Sequence, residues 1–260
     1  MPRFAANLSM LFTDADFLDR FERAAGAGFE AVEYLFPYAW DKQDIAERLQ
    51  RHDLQQALFN MPPGNWEAGE RGLAALPGRE AEFREGVAKA IEYARHLKCT
   101  RLHAMAGCPA ADVAAQDAQA VYVKNLEYAA QACREHGITV VIEPINTRDM
   151  PGYFLSGSAQ ASRLVEHIGA DNLKIQYDCY HMQIMEGNLA ATMELLLEQI
   201  DHVQIAGVPG RHEPDVGEIH YPYLFDRLDA WGYQGWVGCE YRPQGETEAG
   251  LGWFAPYRRA

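Results

Sequence analysis

Ile138-Thr139-Val140-Val141-Ile142-Glu143 decides the fold. The run is apolar, strand-like, and entered from a long helix-like segment stopped by Gly137. Side chains alternate along a strand. Glu143 therefore shares a face with Val141 and Thr139, and Ile138, Val140 and Ile142 take the other. Three later stretches repeat the pattern. In Ile175-Gln176-Tyr177-Asp178, Asp178 sits with Gln176. In His202-Val203-Gln204-Ile205, Gln204 sits with His202, and in Trp236-Val237-Gly238-Cys239-Glu240, Glu240 sits with Gly238. Each strand turns one apolar face to a helix layer and ends its other face in a carboxylate or carboxamide. One such residue is ordinary strand-end polarity; four in register are not.

Working outward, strand-like runs alternate with helix-like stretches along the chain. The earlier runs are Phe4–Leu8, Phe29–Tyr34, Gln56–Phe59 and Arg101–Met105. A helix that Asp14 or Asp16 would cap, then Lys42–His52, Glu80–Leu97, Asp112–His136, Ser158–Ile168, Leu189–Gln199 and Tyr223–Ala230 read as helices. About eight βα units in one chain of this length predict an α/β fold, a single closed (β/α)₈ TIM barrel over residues 1–260. A doubly wound open sheet is the alternative. No Gly-rich dinucleotide fingerprint follows the first strand, which counts against it and against a nucleotide cofactor. The Pro/Gly-rich loop from Met61 to Gly78 reads as an elaborated active-site loop.

In a barrel the polar faces point inward. Glu143, Asp178, Gln204 and Glu240 are then expected to converge at the C-terminal mouth, where barrel enzymes keep their chemistry. Three carboxylates brought together need protons or a cation. An all-oxygen set suits a hard divalent ion, Mg²⁺ first and Mn²⁺ second, over Zn²⁺.

Composition narrows the partners. The net charge of −14 argues against nucleic acid and anionic membranes, which need clustered Lys and Arg. It does not forbid a small anionic substrate. No apolar run has membrane-spanning length. The start Met1–Ser9 turns polar too soon for a signal peptide. The five scattered cysteines, with no Cys-x-x-Cys pair, fit a reduced, cytoplasmic protein.

The segments Val141–Asn146, Gln176–His181, His202–Ala206 with Gly210-Arg211-His212-Glu213-Pro214, and Gly238–Tyr241 resemble the xylose-isomerase-like barrels. That superfamily includes ketose 3-epimerases, inosose dehydratases and endonuclease IV. Asn7–Phe12 and Gly28–Tyr38 narrow the likeness to the hydroxypyruvate isomerase family, with its relatives acting on 2-oxo-tetronate, over essentially the full length. The resemblance implies a 1,2-carbonyl shift through an enediol, interconverting hydroxypyruvate and tartronate semialdehyde, a small anionic hydroxy-oxo acid pair. It implies that Glu143 and Glu240 are the catalytic acid/base pair. It also implies metal binding by Glu143, Asp178, Gln204 and Glu240. Related epimerases carry His where this chain has Gln204, so any metal here should be Mg²⁺-like or weakly held.

On that reading Arg211 is the candidate clamp for the substrate carboxylate. His212, its neighbour, is a weaker candidate, since one of the two must point away. His181 could bond a substrate oxygen, and Asn7, His103 and Asn60 lie where they could line the mouth. Cys179 and Cys239 alternate away from the ligand face and read as packing residues. Trp66, Tyr38 and Phe36 would either cover the substrate or serve a homo-oligomer interface. The rivals are a ketose 3-epimerase, an endonuclease IV-like nuclease, which needs a His-rich zinc cluster and a basic groove, and a non-catalytic sugar-binding protein.

Overall fold

The structure, a computed structural model, describes residues 1–258. Eight strands run in parallel: β1 (Arg3–Asn7), β2 (Ala31–Tyr34), β3 (Gln55–Asn60), β4 (Arg101–His103), β5 (Thr139–Ile142), β6 (Leu173–Asp178), β7 (Ile200–Ile205) and β8 (Trp236–Cys239). Each pairs with its neighbour in sequence, and β8 pairs with β1, so the sheet closes as the alternating runs require. Around it pack α1 (Arg20–Gly26), α2 (Lys42–Arg51), α3 (Glu80–Leu97), α4 (Ala115–Arg134), α5 (Ser158–Ile168), α6 (Cys179–Met185), α7 (Leu189–Leu196) and α8 (Tyr221–Ala230). No helix among the described residues is long and apolar enough to cross a membrane. All five cysteines are free thiols.

Several boundaries differ from the sequence expectation, each for a local reason. Asp14 and Asp16 do not cap the first helix. Asp14 pairs with Arg23 at 2.6 Å, and a 3₁₀ turn over Phe17–Asp19 precedes α1. The fourth strand stops at His103 because the segment beyond it is taken by the long loop. The N–H groups of Ala74 and Ala75 bond to the carbonyls of Met105 and Ala106 at 3.3 and 2.7 Å. Gly72 is part of that junction: it has φ +118° and lies against Met105, where any Cβ would collide with backbone. The loop after β3 is therefore pinned to the barrel's upper rim. Seven-residue α6 went unread in the sequence. It begins at the residue after β6, and Asp178 caps it by accepting the Tyr180 N–H at 2.7 Å.

Inside the barrel the alternation gives three levels. At the N-terminal end Trp236 packs on Ala5, Ala31 and Ala57, a large side chain against three small ones. Above it lies a polar level. Glu33, wholly buried, accepts from Asn7 Nδ2 at 3.0 Å and Gln204 Nε2 at 2.8 Å, and pairs with His202 Nε2 at 2.6 Å. Gly238 makes room for it, because a Cβ there would overlap the Glu33 carboxylate. The third level is the mouth.

Candidate active site

Strand register places the polar tips together. Asp178 of β6 lies opposite Gln204 of β7, and Gln204 opposite Gly238 of β8. Glu143 and Glu240 are the first residues past β5 and β8. A cavity of about 990 Å³ opens above them, lined by Glu143, Gln176, His181, Arg211 and Glu240 on its floor and by Ser9, Asn60, Trp66 and Arg71 among others on its walls. The main acid/base candidates from the sequence thus meet in one cavity.

Arg211 lies within the carboxylate group. Its Nη2 stands 3.0 Å from Glu240 Oε1 and 3.6 Å from Asp178 Oδ2. Its guanidinium carbon is 4.9 Å from the Tyr180 ring centre. Its φ of +56° is left-handed, a conformation costing a non-glycine residue on the order of 1 kcal/mol. Hydrogen bonds from its N–H to the Gly207 carbonyl and from the Arg242 N–H to its own carbonyl, both 2.7 Å, hold it there. Read from the sequence as a clamp for substrate, Arg211 already has two carboxylates.

Asp178 spends one oxygen on the α6 N-terminus. The other, Oδ2, is buried without a hydrogen-bond partner and faces His181 Nε2 and Arg211 at 3.6 Å each. A buried carboxylate oxygen left bare is free to accept a bond from a ligand. Glu143, Asp178 and His181 bring three ligand atoms within 4.8 Å of one another, and this is the one such group of three or more among the described residues. The tautomer of His181 divides their roles. Asn146 Oδ1 accepts the Arg148 and Asp149 N–H groups at 3.0 and 2.8 Å, so its Nδ2 faces His181 Nδ1, 2.6 Å away. Nδ1 accepts, and the proton of the neutral ring resides on Nε2, toward Glu143 and Asp178. His181 presents a donor to the cavity, and the carboxylates present the lone pairs. Gln204 is a strut: its oxygen accepts from Gln176 at 2.6 Å, and its nitrogen donates to Glu33 at 2.8 Å and hydrogen-bonds Glu240, tying the interior to the floor.

Burial sets the protonation of this floor. It pushes Glu240 up to about 8, with Asp178 and Glu33 adding and Arg211 opposing. Glu143 is pushed well above the usual carboxylate range by burial and then by Glu240 and Asp178. Asp178 is raised by burial against the pull of Arg211 and the α6 N–H groups. Burial and the Arg211 charge drive His181 well below its ordinary value, and burial takes His103 down to about 3, so both rings are neutral. Two glutamates that hold their protons above the ordinary carboxylate range, beside a fixed cation and an imidazole N–H, are equipped for proton transfer.

Three expected substrate contacts stand elsewhere. Asn7 lies in the polar level on Glu33. His103 is buried beneath the floor, 3.2 Å from Asn60 Oδ1 and 3.6 Å from Glu143 Oε2. His212 turns its Nδ1 to the Arg242 carbonyl at 2.8 Å. Residues not assigned from the sequence are Glu33, Asn146, Tyr180 and Arg71. Glu33 follows the same alternation rule as the assigned four, being two residues past Ala31 in β2; that signal was present.

The family model of the xylose isomerase-like TIM barrel matches residues 21–257 of this chain. A 2-oxo-tetronate isomerase of Cupriavidus necator is 56% identical over 257 residues, covering 99% of each chain. The hydroxypyruvate isomerase of Escherichia coli is 51% identical over 258 residues, covering 99% of this chain and all of its own. A crystal structure from Brucella melitensis, described as an AP endonuclease of family 2, superposes with a TM-score of 0.98 at 53% identity over the full length of both chains.

Proposed function

The chain belongs to the xylose isomerase-like TIM-barrel family, and from that premise we propose that it is an isomerase of short 2-oxo acids, interconverting hydroxypyruvate and 2-hydroxy-3-oxopropanoate (tartronate semialdehyde). The observation that carries the reading is the pair Glu143 and Glu240, buried on one cavity floor and both raised toward neutrality. The four-carbon substrate of the 2-oxo-tetronate isomerase, which shares 56% of its residues with this chain, is the second reading. A nuclease reading finds no support on the floor, where His181 is the one histidine grouped with two carboxylates.

The chemistry follows from protonation. Arg211 touches Glu240 and stabilises its ionised form, whereas Glu143 feels that charge without contact and has two neutral imidazoles beside it and two carboxylates repelling its charge. Glu240 is therefore the base of the resting site and Glu143 the acid. Glu240 takes the C3 proton of hydroxypyruvate, Glu143 returns one to C2, and the hydroxyl proton passes from the C3 oxygen to the C2 oxygen of the enediol. The reverse direction exchanges the roles. His181 Nε2–H donates to these oxygens as negative charge builds on them. Glu143 and Asp178, with Glu240 beside them on the floor, would hold a hard divalent cation such as Mg²⁺, the unpartnered Oδ2 of Asp178 being an available ligand. When bound, that ion would polarise the substrate's carbonyl and hydroxyl oxygens. The free thiols suit the cytoplasm as the site of action.

The test is an NMR assay in D₂O with hydroxypyruvate, a 2-oxo-tetronate and a neutral ketose side by side. Solvent deuterium should enter the migrating position of one of the two acids. Exchange confined to the neutral ketose would overturn the reading. The pH profile gives a second check. A base active only when ionised, on a carboxyl raised to about 8, makes kcat/KM climb as pH rises through neutrality toward 8. A flat profile across pH 6–8, where an ordinary carboxylate is already fully ionised, would remove Glu240 from that role.

A further inference from the structure

A short 2-oxo acid brings a carboxylate into the cavity, and Arg211 is already paired within the floor. Two other arginines line the cavity, Arg71 and Arg242. Arg71 is half-buried and held in place. Its Nη1 donates to the carbonyls of Trp66 and Glu70 at 3.0 and 2.8 Å, and its guanidinium carbon lies 4.0 Å from the centre of the Trp66 ring. The other edge, Nε and Nη2, has no partner among the described residues. The adjacent carboxylate does not neutralise it: Glu70 is turned away to Arg79, at 2.6 Å, and to the Asn65 N–H. The loop that carries Arg71 is pinned to the rim by the bonds of Ala74 and Ala75. Arg242 is exposed, and its side chain has no partner among the described residues.

A guanidinium fixed on one edge and bare on the other is pre-organised for the two oxygens of a carboxylate. Stacking and two carbonyl bonds have already removed the rotamer freedom that Arg242 would lose on binding. We infer that Arg71, fixed on Trp66 at the cavity wall, receives the substrate's carboxylate and so selects 2-oxo acids over neutral sugars. This rests on the isomerase reading for the identity of the acid and on the loop geometry for the residue.

The experiment compares wild type, Arg71→Gln, Arg71→Lys and Arg242→Gln in two measurements. Calorimetry follows binding of tartronate, a dicarboxylate that cannot isomerise. Initial rates follow hydroxypyruvate and the 2-oxo-tetronate. Loss of a charge-assisted bidentate contact in R71Q should raise both the tartronate Kd and the KM by about 10- to 100-fold, with kcat changing much less. R71K should recover part of the loss, and R242Q should show little of it. Wild-type tartronate affinity in R71Q, or no tartronate binding by wild type, overturns the inference, as does a loss that falls on kcat alone. Inorganic phosphate competing as well as tartronate would reassign the wall to a phosphate and likewise overturn it. The two readings fail separately. Arg71-dependent tartronate binding without turnover of either acid sinks the isomerase alone, whereas turnover with a KM indifferent to Arg71 sinks this inference alone.

Discussion

Glu143→Gln and Glu240→Gln each lower turnover of hydroxypyruvate by about 10²–10⁴, the range supplied by one positioned acid or base. Both carboxylates are buried and raised, so each holds a proton more tightly than an ordinary carboxylate does. Glutamine keeps the shape and one acceptor oxygen but removes the proton. The amides also relieve repulsion among three buried carboxylates, so melting temperatures should hold or rise. That pairing of lost turnover with kept stability separates a chemical role from a structural one. The two variants should differ in KM. E240Q turns the charged contact that Arg211 Nη2 makes at 3.0 Å into one with a neutral oxygen, whereas Glu143 makes no contact with Arg211. Near-normal turnover in either variant ends the two-glutamate mechanism.

The barrel and the floor were legible because both follow from one rule, alternation along buried parallel strands. The rule needs only that each strand present an apolar face outward, as Ile138, Val140 and Ile142 do. It failed where side-chain direction is set by something other than a strand. His181 owes its aim to α6, seven residues whose start is fixed by the Asp178 cap, too short to show a helical period. Its proton position depends on Asn146, which is held by a turn of Arg148 and Asp149 N–H groups. Arg71 sits in a loop without periodicity, and its direction comes from Trp66 and from the rim bonds at Met105 and Ala106. The pairing of Arg211 with the floor was not legible for an energetic reason. A lone cation near three carboxylates joins them before any substrate arrives, and sequence spacing does not reveal that competition.

Glu33→Ala should be the most destabilising of the single substitutions considered, by about 3–5 kcal/mol, because it leaves His202, Asn7 and Gln204 without their common acceptor in a dry interior. At this chain length that corresponds to a fall in Tm on the order of 10 °C, read by calorimetry or circular dichroism. Glu33→Gln, which keeps the volume and an acceptor oxygen, should lose much less. The double variant with His202→Ala should cost less than the sum of the singles, since each removal strands the other partner. The effect should reach the site as well. Gln204 hangs between Glu33 and Gln176, and Gln176 lines the cavity, so freeing Gln204 loosens the floor on which the glutamates stand. An interior of Val and Leu would be as stable at less risk, since half-satisfied polar groups are costly in low dielectric. The polar level is explained if its work is to hold two amides in fixed orientation beneath the reacting groups. An E33A protein that melts within about 2 °C of wild type would show that the network carries no such weight.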